Sequence, residues 1–275
     1  MGAPTGSFPD LRVVSIEDLL RHEDVDLERV ARLLDRLSAD GVLRNPPVVA
    51  RMRQSRKFLL LDGANRVSAL ENLEIPHLLV QVEDFDDPAL EIRHWNHVVR
   101  DIEARTLTRK IHDIPGVVAR GGDLRRDSTD FLVTISTGEN APTHLYGGGG
   151  IGERVFYWRS IVEVYHRGDA RMDRVSHDDI ETLRSHHPHF GALVSFPDFR
   201  KEDIRAIAEA GERLPSGVTR ILVPRRVLGF NLRLPLLKSN LPLEEKRRWL
   251  AEEIQHKVTE HKVRYYQEPT FVFDD

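Results

Sequence analysis

Leu59-Leu60-Leu61-Asp62-Gly63-Ala64-Asn65-Arg66-Val67-Ser68-Ala69-Leu70 runs from an apolar β-segment through an acid and a glycine into a helix with an arginine in its first turn. That order makes a place to hold a phosphate beside a carboxylate. The first N–H groups of a helix lack intrahelical partners, and the macrodipole favours an anion there. Gly63 and Ala64 let the backbone approach closely, Asn65 offers a donor, and Arg66 brings a planar donor fork. Asp62 would repel a bare phosphate, so it fits this setting if it binds Mg²⁺ or handles a proton. An Asp-Gly turn that opens a helix is also common structural punctuation, so the weight falls on the neighbouring sequence.

Upstream, His22-Glu23 precedes Leu27, Val30, Leu33, Leu34 and Leu37, whose spacing predicts one apolar helix face, ended by Gly41. Leu43-Arg44-Asn45-Pro46-Pro47-Val48-Val49-Ala50 leads into a strand, and a polar, basic turn from Arg53 to Lys57 returns into Phe58–Leu61. Beyond the Asp62 helix, Ile75-Pro76-His77-Leu78-Leu79-Val80-Gln81-Val82 predicts another short strand.

This order of segments resembles the ParB/sulfiredoxin fold. The resemblance implies an α/β (α+β) chain, with a ParB/sulfiredoxin-like nucleotide-binding domain over 11–100 and a mixed α+β C-terminal domain over 101–275 completing the substrate site. Sulfiredoxins work through a cysteine in a Gly-Cys-His-Arg loop; Ala64 stands at that position and the chain has no cysteine, so their chemistry is excluded. The DNA-partitioning branch carries a Gly-Glu-Arg-Arg motif and a helix-turn-helix domain, and neither is clear here. Free L-serine kinases carry His-Glu upstream and Asp-Gly-x-His-Arg at the loop, matched by His22-Glu23 and Asp62-Gly63-Ala64-Asn65-Arg66. Arg93–Val99 is similar to the Trp-x-His segment of siderophore-associated serine kinases. Leu214–Arg220 is similar to their Pro-x-Gly-Val-Thr-Arg element, Leu234–Lys238 continues the likeness, and Trp249 and Tyr266–Phe273 are compatible with it. The likeness is most specific over 14–83 and 212–238. One position departs: the family's loop histidine is Asn65, which donates hydrogen bonds but cannot carry a proton.

The resemblance implies a kinase that moves a phosphoryl group from ATP or ADP, with Mg²⁺, to the hydroxyl of free L-serine. O-phospho-L-serine would then feed amino-acid, siderophore or other secondary-metabolite synthesis. Glu23 is the implied general base for a weakly nucleophilic hydroxyl, with His22 orienting it. Asp62 is the second catalytic carboxylate and the candidate Mg²⁺ ligand. Gly63, Ala64, Asn65 and Arg66 hold the nucleotide phosphates, with Arg44 and Asn45 lining the nucleotide site. A free amino acid presents a carboxylate and an ammonium. Thr219 and Arg220 are the candidates for the carboxylate, Trp95 for a pocket wall and His97 for a polar contact. The alternative is a ParB-like nucleotide-binding regulator that associates with DNA and has no kinase activity. It requires a basic face and a recognition helix in 100–275, and no segment there stands out.

Composition sets the outer limits. With 40 basic against 44 acidic side chains, a net charge of −4 gives no overall push toward nucleic acid or an anionic membrane. No apolar run approaches the roughly 20 residues of a membrane span, and Met1–Asp10 lacks a signal peptide's apolar core; a cytoplasmic protein is the expectation. Farther along, Pro88–Val99 is expected to form a helix and Arg100–Thr129 an irregular crossover. Strands are expected at Phe131–Ile135 and His144–Tyr146, and helices at Arg154–Tyr165, Lys201–Ala210 and Leu243–His261. Ile180–Leu183 and Phe196 are left open between strand and helix–turn, and Ile221–Val223 with Val227–Leu234 suggests a β-hairpin. His186-His187-Pro188-His189 lacks zinc-like spacing, and Gly147–Gly150 lacks the Gly-Lys-Ser/Thr ending of a P-loop.

Overall fold

The computed structural model describes residues 8–52, 56–120, 128–167 and 170–266. The chain begins with β1 (Asp10–Ser15), β2 (Leu19–Arg21), α1 (Leu27–Asp40), β3 (Val42–Leu43), β4 (Val48–Arg51), β5 (Phe58–Asp62), α2 (Ala64–Asn72), β6 (His77–Glu83) and β7 (Glu91–His94). β8 (Asn96–Arg100), α3 (Ala104–His112), β9 (Val118–Arg120), β10 (Phe131–Ser136), β11 (Thr143–Tyr146), α4 (Ile151–His166), β12 (Arg171–Val175), α5 (Ile180–His186), β13 (Phe190–Ser195) and α6 (Lys201–Glu209) follow. The last described elements are β14 (Thr219–Leu222), β15 (Leu232–Arg233), α7 (Leu234–Lys238) and α8 (Leu243–Thr259).

Five strands form a first sheet in the order β1-β6-β4-β5-β2, mixed parallel and antiparallel. β5 is apolar on both faces because both are covered. Phe58 and Leu60 join a core built with Val67 and Leu70 of α2 and Leu250 of α8. Leu59 and Leu61 join the other core, which continues through Trp158, Ile161 and Ile207. The second sheet is antiparallel throughout, in the order β12-β8-β13-β10-β11-β9.

α1 forms where its periodicity predicts. Asp26 accepts the Arg29 N–H at 3.0 Å to cap it, and Gly41 ends it at φ +63. Leu27, placed on the apolar face by spacing, is exposed. Part of the basic turn after β4 lies outside the described residues, as do the Gly121-Gly122 pair and most of Tyr266–Phe273.

Three expectations need correction. Pro88–Val99 is two strands rather than a helix: β7 pairs with β14, and β8 enters the second sheet between β12 and β13. That sheet therefore begins before residue 100. Arg100–Thr129 contains α3 and β9; α3 buries Leu107 and Ile111 beneath a charged outer face. The suggested hairpin is absent, because β14 pairs with β7 while β15 crosses to β3. Ile180–Leu183 lies in α5, and Phe196 directly follows β13. No helix among the described residues is long and apolar enough to cross a membrane.

The last segment of the chain returns to the first sheet. Phe230, Leu232, Leu234, Leu237 and Leu250 enter the core that α1 and α2 share, and Arg247 donates to the Val13 carbonyl at 3.1 Å. Lys246 is fully buried there. Its ammonium donates to the carbonyls of Leu237 (2.6 Å) and Ser239 (2.8 Å) and to His77 Nδ1 (2.9 Å), which uses all three of its hydrogens. Lys246→Met removes the donor from one buried and two half-buried acceptors, and urea unfolding is expected to lose about 2–4 kcal/mol. An unchanged midpoint would show that α8 is held by apolar contact alone.

Candidate active site

His22 and Glu23 follow the end of β2, and the chain beside them comes from nearly two hundred residues away. Leu214 N–H donates to the His22 carbonyl and Asp24 N–H to the Leu214 carbonyl, both at 2.8 Å. The chain then turns at Gly217 and lays its amides on Glu23. The Gly217 N–H, the Thr219 N–H (3.3 Å) and the Thr219 hydroxyl all donate to the Glu23 carboxylate. Burial pushes Glu23 up to about 7, against the opposing pull of these hydrogen bonds and of Arg174. A carboxyl in that range can accept a proton near neutrality.

Gly217 has two reasons to be glycine. Its φ is +81, and a Cβ there would stand about 2 Å from the Arg174 guanidinium. Arg174, on β12, also reaches Ser216 Oγ at 3.4 Å. Behind the loop, His97 is fully buried and lines no part of the cleft, so it is not the polar substrate contact expected of it. Its Nε2 lies 2.9 Å from the Gly217 carbonyl and must donate to it, while Nδ1 accepts from the Tyr165 hydroxyl at 2.8 Å. Burial holds His97 down at about 3. It is a neutral prop for the loop.

On the other side of the cleft, Gly63 starts α2 at φ +99, with Arg66 and Pro47 crowding the position of a Cβ. Arg66 donates to the carbonyls of Asn45 (2.7 Å) and Pro46 (3.4 Å) and to Asp62 (3.1 Å). Arg226 donates to the same Asp62 oxygen at 2.5 Å. Burial works against charge on Asp62, but Arg66 and Arg226 prevail and hold it below its ordinary range. Asn65 Oδ1 accepts the Asp26 N–H at 2.9 Å, which fixes the amide so that its NH₂ is a donor. Asn45 Oδ1 accepts the Gly229 N–H at 2.8 Å, and Arg44 pairs with Asp40 at 3.1 Å.

Between these walls lies a cleft of about 830 Å³. His22, Glu23, Arg44, Asn45, Asp62, Gly63, Ala64, Asn65, Arg66, Trp95, Thr219 and Arg220 all line it; His97 alone of the expected residues does not. Trp95 donates its backbone N–H to the Val218 carbonyl at 2.9 Å and carries the Arg220 guanidinium 4.7 Å over its ring. Eight arginines and four carboxylates line the cleft of a chain whose overall charge is −4, so the protein concentrates positive potential at one place. Sequence reading missed Arg174 and Arg226. Arg174 carries no motif, lying in an ordinary charged strand; Arg226 sits in the Pro-Arg-Arg run at 224–226, which offered a signal as a basic pair beside a rigid turn.

No family model matches the chain. The ATP-dependent L-serine kinase SbnI of Staphylococcus aureus is 25% identical over 241 residues, which span 87% of this chain and 88% of SbnI. The chain is a homologue of SbnI. The structure of SbnI with a C-terminal truncation superposes with a TM-score of 0.71 at 22% identity, over 90% of this chain and 97% of that one. A free serine kinase solved in complex with AMP gives a TM-score of 0.69 at 13% identity, over 85% and 98%; a variant of a free serine kinase has been solved with ADP. The mixed α+β architecture is thus the ParB/sulfiredoxin-like one of these structures.

Gly217→Ala tests the Glu23 clamp. The added methyl strains the loop and displaces Arg174, with an expected stability loss of about 1–3 kcal/mol. A strained loop carries the backbone N–H of position 217 away from the carboxylate, so carboxyl NMR should find Glu23 titrating about one unit higher than in the unmodified protein. An unmoved titration would mean that the loop does not govern it.

Proposed function

We propose that this protein is a kinase for free L-serine that transfers the γ-phosphoryl group of ATP to the serine hydroxyl, giving O-phospho-L-serine. The observation that carries the reading is Glu23: a carboxyl raised to about 7, clamped by two backbone amides and facing an arginine-rich cleft. Similarity to SbnI over most of both chains supports the same activity.

Glu23 aligns the serine hydroxyl and takes its proton as the oxygen–phosphorus bond forms. Phosphoryl transfer is largely dissociative in most analyses, so positioning and charge stabilisation outweigh early deprotonation. The start of α2 with Gly63, Ala64 and Asn65 receives the phosphates. Arg66 spends its fork on Asn45, Pro46 and Asp62 and so rigidifies the phosphate loop, which leaves Arg226 as the better placed of the two to meet phosphate charge. Arg220, braced on Trp95, meets the serine carboxylate. The described residues contain no group of three or more side chains able to hold a metal. Asp62, kept ionised, is the residue that would hold an Mg²⁺ carried in with the nucleotide. Bound there, Mg²⁺ would neutralise phosphate charge.

Purified protein incubated with Mg²⁺, L-serine and ATP, with ADP in parallel, is expected to yield O-phosphoserine by mass spectrometry. Glu23→Gln should lower kcat at least about 100-fold with little change in nucleotide binding. Because Glu23 works ionised, kcat/KM should climb as pH rises through about 7 and level off above it. Arg226→Ala should raise the KM for ATP about tenfold through loss of one charged contact. Absence of product with either nucleotide, together with salt-sensitive retention of DNA, would replace the kinase by a nucleotide-binding regulator.

A further inference from the structure

Thr219 was expected to meet the substrate carboxylate, yet its hydroxyl is committed elsewhere. Its Oγ bonds Glu23 Oε2 and lies 3.1 Å from His22 Nε2. On the far side of the ring, His22 Nδ1 is 2.9 Å from the Leu60 carbonyl. A carbonyl only accepts, so Nδ1 carries the ring hydrogen and a neutral Nε2 is left as an acceptor. His22 is almost fully buried, and that burial keeps it uncharged by lowering it to about 4. One hydroxyl hydrogen therefore faces two acceptors.

We propose that the Thr219 hydroxyl is a two-position hydrogen-bond switch that lets Glu23 hold the substrate's proton, with the neutral His22 imidazole as the acceptor behind it. The proposal rests on the kinase reading for its chemistry. With Glu23 ionised, the hydroxyl hydrogen points to the carboxylate. With Glu23 protonated, the carboxyl donates to Thr219 Oγ and the hydroxyl turns to donate to His22 Nε2. In the second state the carboxyl and the hydroxyl both have acceptors, and Nε2 has its donor. In the first, Nε2 receives nothing from the hydroxyl. The cluster thus supports the protonated carboxyl beyond what burial alone does. Arg174 on β12, with Arg29 and Asp26 beside it, is the charged group that faces Glu23, and it favours the ionised form.

The step balances without a further reactant. The serine O–H bond breaks, its oxygen bonds to phosphorus, and the bond from phosphorus to the departing nucleoside diphosphate breaks and takes its electron pair with it. The proton ends on Glu23. Thr219 keeps its own hydrogen, and His22 gains a hydrogen bond but no proton. Thr219 and His22 are positioning residues for Glu23.

The test is an NMR titration of the nucleotide-free protein, with ¹⁵N on the imidazoles and ¹³C on the carboxyls. His22 is expected to keep its Nδ1–H tautomer on both sides of neutrality, and its Nε2 signal should move as Glu23 titrates. His22→Asn keeps a donor toward Leu60 while deleting the Nε2 acceptor. It should lower the Glu23 midpoint by about one pH unit, the scale of one hydrogen bond, and carry the acid limb of kcat/KM with it. Thr219→Ser should titrate like the unmodified protein, and in Thr219→Val the His22→Asn change should have no further effect on Glu23. An Nε2–H tautomer in the unmodified protein, or a Glu23 midpoint indifferent to His22→Asn, overturns the switch. Should His22→Asn fail to fold, the tautomer and the movement of the Nε2 signal as Glu23 titrates, which should be lost in Thr219→Val, still decide it. Because the titration needs no turnover, a protein that titrates as described but phosphorylates nothing refutes the kinase reading and leaves the switch standing.

Discussion

Two backbone hydrogen bonds, from Leu214 to His22 and from Asp24 to Leu214, bring the end of β2 against a loop that the chain reaches only after its second sheet is built. Everything on the Glu23 side of the cleft follows from that parallel bridge. It delivers the Gly217 and Thr219 amides to the carboxylate, presses Arg174 over the glycine, and requires the buried His97–Tyr165 pair beneath to keep the loop from sinking. Preorganised donors of this kind are already oriented before substrate arrives, which is where such sites gain most over water. The opposite wall is built by different means. There, guanidinium groups tie loops together, with Arg66 bridging Asp62 to the Asn45–Pro46 turn and Asn45 reaching the loop at Gly229.

What was legible in the sequence was what local chemistry decides. The apolar period of α1, its Gly41 end, and the strand–acid–glycine–helix run at 59–70 each carry their signal within a few residues. Pro88–Val99 misled because Leu90, Ile92, Trp95, Val98 and Val99 satisfy a helical period as well as a strand one. The partners that make it two strands, β12, β13 and β14, lie far along the chain. The supposed hairpin at 221–234 failed for the same reason: its two halves pair with β7 and β3, and a turn signal says only that the chain bends.

The site divides along the same line. Glu23, Asp62 and the Gly63–Arg66 loop were readable because their motifs are contiguous, and the structure brings them to one cleft. Arg174 was not, since nothing in Arg171–Arg174 distinguishes a guanidinium that packs on a distant glycine from one that faces solvent. His97 was found by motif but lies behind the cleft, and the bonds of Thr219 to Glu23 and His22 were not foreseen. A threonine hydroxyl beside a substrate and one between a carboxyl and an imidazole look alike in sequence, and only the fold says which it is.

The return of residues 230–250 to the core beneath β1 and β6 has a bearing on how the molecule is made. On the ribosome, α1 and α2 emerge well before the residues at 230–250 that cover their apolar faces. The Glu23 clamp likewise waits for Leu214. Contacts of such long sequence separation fold slowly, and the nascent chain must carry an exposed half-core until residues 230–250 are made. A ribosome that stalls between α2 and β14 therefore leaves the Glu23 wall of the cleft unbuilt and a species prone to aggregate.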